Sequence, residues 1–366
     1  EAAYIAETYL GASVPACLGE EGAREDAPAR AAVDAALALA AVAPLADALV
    51  RDGAADVFRG IEMPLVPVLV DMERTGMLVD PERLSGLSAG LSGQIDALAS
   101  RIRALAGDET FNISSPMQLS HILLEVMGLP ARGLKKTQRG YYSTNAKVLE
   151  ELAHDHEIVR LILEYREKTK IKSTYLDKLG GMRATDGRVH TTYNQTITAT
   201  GRLSSSDPNL QNIPTRSELG HTVKTAFSAG PGAVFLAVDY SQIELRLLAH
   251  LSADEHLVAA FNEGEDFHAE TAARVFGVSV DQVTPALRSR AKAVNFGIVY
   301  GQQAYGLSQT LDIPMAEARE MIDRYFEAYP GVRTYLDRTV EEARASGFAV
   351  TMFGRRRPIP ELRAKN

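Results

Sequence analysis

At about 150 residues per domain, a chain of 366 residues holds two or three domains, each able to bury a core. Apolar residues at 46% and charged residues at 23% match ordinary globular usage, which excludes disorder and fibrous repeats. The 39 Lys and Arg against 47 Asp and Glu leave a net charge of −8, which on its own argues against a nucleic-acid partner. Local potential matters more than net charge, and basic residues cluster at 132–139, 166–172, 288–292 and 355–357. One cysteine, Cys17, excludes an internal disulfide and a cysteine zinc site, and fits a reducing, cytoplasmic compartment. The chain opens at Glu1 with neither an initiator Met nor a basic and apolar leader, so it is expected to be a piece of something longer. The longest uncharged Ala/Leu/Val run, 35–46, contains Pro44 and is far short of the ~20 residues of a membrane helix. No membrane span is expected.

In chain order, residues 1–58 are Ala-rich with helical spacing, and breakers such as Gly11, Pro15, Pro28 and Pro44 predict short helices only. Residues 61–80 read as a helix ended by Gly76, followed by a short extended piece at 77–79. Two longer helices follow, near 81–106 and from Ser115, where Ser115, Pro116 and Gln118 have the pattern of a capping box. Residues 128–144 form a basic loop with Lys135, Lys136 and Arg139, suited to touching phosphates. Helices are expected near 144–153 and 158–179. The pattern then changes: 187–193 and 234–238 read as strands. After Asp239 it returns to helices broken at Gly264, Pro285, Gly301, Pro314 and Pro330, and 348–357 reads as the start of a hairpin. There is no internal repeat.

Three segments carry chemistry. In the first, the apolar run 234–238 delivers Asp239 just before a helix begins. A carboxylate so placed is a candidate ligand for Mg2+, which prefers hard oxygen donors; the other reading is a helix N-cap. The second is 288–301. At 100° per residue, Arg288, Lys292, Phe296 and Tyr300 drift only about 40° per step and form one slanted stripe. Two cations and two aromatics on one face suit a nucleoside triphosphate, and equally suit a solvated basic turn followed by two core aromatics. Gly297 and Gly301 imply that something approaches this backbone closely. The third, 198–214, is rich in amides and hydroxyls and bracketed by prolines, suited to a duplex groove or simply to an exposed loop.

Taken together, these segments resemble the family A DNA polymerases. Residues 239–246 look like that family's motif A, 288–301 like its motif B, and 198–214 like its signature between thumb and palm. Further similar segments are 61–76, 111–115, 164–175, 266–273 and 329–332, so the resemblance covers nearly the whole chain.

The resemblance implies an α+β right-hand fold, predominantly helical with an antiparallel palm sheet. Residues 1–58 would be the tail of a degenerate exonuclease-like domain and 59–180 the thumb. The palm would begin at 181–250, the fingers would occupy 251–345, and the chain would return to the palm at 346–366. Asp239 would bind both catalytic metals, two Mg2+ ions for which Mn2+ can substitute. Arg288, Lys292 and His268 would hold the triphosphate. Phe296 would stack on the incoming sugar and base, and Tyr300 would occupy the templating-base position until the fingers close. Glu244 would be a steric gate against a 2'-hydroxyl, and Gln242 would lie near the primer end. Arg202, Asn209 and Asn212 would contact primer and template near the nascent pair, and Arg166 and Lys170 would track the backbone. The implied partners are primer-template DNA and deoxynucleoside triphosphates, with no membrane, for a monomer of the bacterial cytoplasm associated with the nucleoid. The implied activity is DNA-directed DNA synthesis in replication and repair.

Two departures from the family pattern stand out. Arg30 occupies a position where the family's exonuclease motif has a Tyr, although Asp34 falls near a carboxylate position. The family's motif C, which supplies a second metal-binding Asp, is expected downstream of Asn366. Two rival readings follow: a fragment that binds primer-template without catalysis, and a phage-type single-subunit RNA polymerase, against which Glu244 and Phe296 argue. No GxxxxGK[ST] run is present, which excludes a P-loop nucleotidase.

Overall fold

The computed structural model describes residues 2–11, 27–130, 136–153, 156–214, 217–264 and 266–363. Cys17 and Lys135 lie outside them. The chain divides into two compact units, one of residues 59–236 and one combining 1–58 with 237–366.

In the first unit, the helix Met63–Thr75 stops at Gly76, whose φ of 57° suits glycine. A Cβ there would also sit 2.7 Å from the His190 ring. The chain then enters β1 (Met77–Val79), the centre of an antiparallel sheet between β2 (Arg188–Val189) and β5 (Phe227–Ser228), with Met77 opposite Val189 and Val79 opposite Phe227. A second ladder pairs β3 (Thr192–Asn194) with β4 (Ser204–Ser206).

The helix Pro81–Ala106 has the expected bounds because its signals are local. Asp80 accepts the Arg83 N–H at 2.9 Å, Pro81 opens the first turn, and Gly107 ends it in the left-handed region. One helix serves two cores. Leu84 and Leu91 pack with Tyr175 and Leu179, while Ile102 packs with Leu119, Leu149 and Ile162.

Ser115 does cap the next helix, accepting from Gln118 N at 3.4 Å, but the expected reciprocal box does not form. The Ser115 N–H is already donated to the Asn112 carbonyl, so Gln118 Oε1 accepts instead from Asn112 N at 2.6 Å. The expected helix at 158–179 runs from Glu157 to Gly181, with a π-helical stretch at Lys172–Leu176.

Two expectations are corrected. The N-terminal region is not confined to short helices, because Ala27–Arg51 is one helix running through Pro44. Alanine is the strongest helix former, and the alanine-rich turns on both sides carry the helix across a proline that removes one donor and crowds the preceding turn. Within Ala31–Arg51 an 18-residue window has mean hydropathy 1.9, so the helix is long and apolar enough to cross a membrane by length and composition alone, which the 35–46 run did not predict.

Residues 234–238, expected as a buried strand, pair with no strand among the described residues. Val234 and Val238 are 88% and 85% exposed. An apolar sequence alone does not make a strand, whose backbone groups need a neighbouring ladder.

In the second unit, seven helices from Ile243–Ser252 to Pro330–Ser346 surround one core that includes Leu245, Leu257, Phe267, Val294, Tyr325 and Tyr329. The expected hairpin follows as β6 (Phe348–Val350) and β7 (Arg356–Pro358), antiparallel. The fold is α+β, mostly helical with small antiparallel sheets.

Candidate active site

The helix Pro285–Val299 starts at Thr284, whose hydroxyl accepts from Leu287 N at 3.2 Å. It buries Ala291, Val294, Asn295 and Ile298. Arg288 and Lys292 are exposed, with Phe296 half-buried and Tyr300 exposed at the C-terminal end. Arg288, Lys292 and Tyr300 of the stripe thus lie at the surface, while Phe296 also packs against the core. Phe296 and Tyr300 stack with ring centroids 6.5 Å apart.

The neighbouring helix Phe267–Phe276 brings His268 to this stripe, its ring 5.9 Å from that of Phe296. His268 is buried. Burial first and Arg288 second push its imidazole below the usual range, against a smaller opposing pull from Asp266 and with the least help from Lys292. Burial thus favours the neutral ring.

Asp266 joins the two helices. Its Oδ1 caps the first, accepting from His268 N at 3.1 Å and Ala269 N at 3.3 Å. It also takes Arg288 bidentately, from Nε to Oδ2 at 2.6 Å and from Nη2 to Oδ1 at 3.2 Å. Behind the stripe, Asn295 Nδ2 contacts His268 Nδ1 at 3.0 Å and Thr271 Oγ1 at 3.1 Å. Thr271 Oγ1 in turn donates to the Phe267 carbonyl at 2.9 Å and lies 3.3 Å from the Tyr329 hydroxyl. The sequence reading did not single out Asn295, Thr271 or Tyr329. The signal was available for Asn295, a polar residue within the otherwise apolar face of Ala291, Val294 and Ile298.

Gly297 was read as leaving room for close approach, and it does so for the chain itself. A Cβ there would stand 2.6 Å from Gln302 Oε1. Gln302 N donates to the Gly297 carbonyl at 2.7 Å, and its side chain reaches Thr310 Oγ1 at 2.8 Å.

The helix Ile243–Ser252 presents Glu244, whose Oε2 accepts the Tyr300 hydroxyl at 2.6 Å. Its N-cap is Gln242, in the left-handed region at φ 52°, not Asp239. The N-cap reading of Asp239 is thereby removed. Asp239 is exposed and lies outside any helix or strand.

Among the described residues no group of three or more His, Cys, Asp or Glu is placed to hold a metal ion. The described side chains therefore do not by themselves make up a metal site.

In the other unit, Arg166 and Lys170 line a cavity of about 610 Å³ with Ser114, Thr144, Asn145 and Thr169. Arg166 donates to the Thr144 carbonyl through Nη1 and reaches Thr144 Oγ1 through Nη2, and burial lowers its guanidinium pKa. Thr169 Oγ1 is buried without a partner.

Arg202, Asn209 and Asn212 lie on the loop around β4. Asn209 Oδ1 accepts from Gln211 N and Asn212 N, both at 3.1 Å, so it shapes the loop's own turn. The Asn212 carbonyl accepts the Tyr175 hydroxyl, and Thr191 Oγ1 ties the loop to Ser205 Oγ at 2.6 Å and to the Pro208 carbonyl at 2.8 Å.

In fold, the whole chain is similar to a solved polymerase, the POL domain of Pol1 from M. smegmatis in complex with DNA primer-template and dNTP. The TM-score is 0.88 at 39% identity, covering 100% of this chain and 62% of that one. The chain belongs to DNA polymerase family A, whose model matches residues 81–366. It is 52% identical over 310 residues to DNA polymerase I of Caldicellulosiruptor bescii, covering 84% of this chain and 36% of that protein. Against the thermostable DNA polymerase I of Thermus aquaticus the identity is 50% over 309 residues, covering 84% and 37%. Against DNA polymerase I of Bacillus subtilis it is 49% over 313 residues, covering 85% and 35%. The chain thus spans little more than a third of the length of these relatives.

Proposed function

We propose that this chain carries the nucleotide-incorporating part of a DNA-directed DNA polymerase, which transfers a deoxynucleoside monophosphate from its triphosphate to a primer 3'-hydroxyl. The observation that carries the reading is the stripe of exposed Arg288, Lys292 and Tyr300 with half-buried Phe296, with His268 beside it and Glu244 bonded to its end. Arg288 and Lys292 neutralise phosphate charge, and His268 offers a hydrogen bond. Phe296 lies against sugar and base, Tyr300 stands at the templating position, and Glu244 excludes a 2'-hydroxyl by bulk. Gln242 lies toward the primer end.

On the other unit, Arg202, Asn209 and Asn212 contact primer and template, and Arg166 and Lys170 follow the phosphate backbone. In this reading residues 1–58 are an exonuclease-like tail, 59–180 the thumb, 181–250 and 346–366 palm, and 251–345 fingers. Two Mg2+ ions, replaceable by Mn2+, would lower the barrier by Lewis-acid charge stabilisation. Asp239 is the residue of this chain proposed to face them. The setting is replication and repair in the bacterial cytoplasm at the nucleoid, by a monomer without a membrane.

The test is single-nucleotide incorporation by Lys292→Ala and Arg288→Ala, with primer-template affinity measured alongside. A loss of ~10 to 1,000-fold in triphosphate use with little change in duplex affinity is expected if both are charge-assisted donors to the phosphates. Equal kinetic constants would remove the triphosphate site. A second reading, primer-template binding without extension, rests on Asp239 standing outside any acidic cluster among the described residues. Duplex affinity without extension by the parent chain would favour it.

A further inference from the structure

The turn that leads from Asp239 into the helix Ile243–Ser252 is strained and is held from one side. Gln242 adopts φ 52° and ψ 37°, left-handed for a residue that carries a Cβ, and its side chain forms no cap bond. Its Oε1 is moreover buried without a hydrogen-bond partner. Such a conformation persists only where the surroundings over-determine it.

What over-determines it is Arg246, one turn along the helix. The backbone N–H groups of Leu245 and Arg246 both donate to the Gln242 carbonyl, at 3.0 and 3.1 Å. The Arg246 side chain then folds back, and its Nε–H donates to the Ser241 carbonyl at 3.0 Å. This pins the peptide plane between Ser241 and Gln242. The guanidinium is itself held in place, lying 4.8 Å above the Phe261 ring, which stacks on buried Phe267 at 5.0 Å. Arg246 thus joins the turn to the helix that carries His268. Its planar fork combines a ring face with a directed N–H donor, which a lysine does not reproduce.

We propose that Arg246 is a positioning residue that holds the left-handed turn at Ser241 and Gln242, and through it the approach of Asp239 to the site. The part concerning Asp239 rests on the function proposed above; the part concerning the turn does not.

The test is a double-mutant cycle of Arg246→Met with Gln242→Gly in the otherwise intact chain, read by thermal unfolding and by single-nucleotide incorporation. Glycine adopts the left-handed region without steric cost, so a turn made of glycine needs no clamp. Gln242→Gly alone should raise Tm or leave it unchanged. Arg246→Met should lower Tm by roughly 2–6 °C and incorporation ~10-fold or more in the parent, but by less than half as much in the Gln242→Gly background. Non-additivity of this kind is the signature of a shared element.

Equal penalties in both backgrounds overturn the proposal, as does a Gln242→Gly variant as unstable as Arg246→Met, since the turn would then carry no strain. Coupling in Tm together with an active Asp239→Asn variant overturns the function assigned to Asp239 and its share of the proposal, while the clamp on the turn stands.

Discussion

The Tyr300 hydroxyl donates to Glu244 Oε2 at 2.6 Å, closing a contact across 56 positions of sequence. It fixes the carboxylate that the proposed function uses as a steric gate. A hydrogen bond to a charged group contributes about 1.5–3 kcal/mol, so Tyr300→Phe should leave Glu244 freer to turn aside. Ribonucleotide rejection should fall by about 10-fold, the equivalent of about 1.4 kcal/mol, and further in Glu244→Ala. Parallel efficiencies with deoxy- and ribonucleotides check this, and an unchanged ratio in both variants would remove the gate.

Asp239 is exposed and is not the cap of the helix that follows it. Asp239→Asn should therefore leave Tm within about 1 °C of the parent, since exposed substitutions away from caps and cores cost within about 0.5 kcal/mol. Primer extension should be lost while duplex affinity is retained. Near-parental extension would show that this carboxylate has no part in the reaction.

The bidentate pair with Arg288 is the first cause holding the Asp266 carboxyl below its ordinary range, with the His268 and Ala269 N–H groups contributing less. A depressed carboxyl pKa adds stability that is present above the unfolded value of about 3.9 and is lost as pH falls through the native value. Arg288→Ala removes the main cause, so the variant should be less stable than the parent at pH 6, and the gap should close toward pH 3. Urea midpoints for both proteins at the two pH values measure it. A gap that widens on acidification would show that the pair does not stabilise the fold.

Asp254 is buried and serves two elements at once. It caps the helix Glu255–Asn262 through Leu257 N at 3.1 Å and accepts from Gly331 N, at the start of the last long helix, at 2.8 Å. Asp254→Ala should cost about 2–4 kcal/mol, a lost cap plus a buried N–H left without a partner. Denaturant unfolding reads this directly. Gly331→Ala should also destabilise, because a Cβ there would stand 2.9 Å from Asp254 Cα.

What the sequence alone determined is what neighbouring residues decide among themselves. Asp80, Pro81 and Gly107 bound one helix because caps and turns act within a few residues. The Arg288-to-Tyr300 stripe follows from the period of the α-helix, and the order of motifs pointed to the family. The tertiary structure decided everything that depends on segments far apart along the chain. It paired Arg288 with Asp266, Tyr300 with Glu244 and Asn295 with His268, and it filled the space beside Gly297 with Gln302. It also left Val234 and Val238 exposed, where the apolar pattern read as a strand. A helix satisfies most of its backbone within itself, so its sequence describes it better than it does a strand, although the long helix Ala27–Arg51 escaped it. A strand, an ion pair or a polar network needs a partner that only the folded chain supplies.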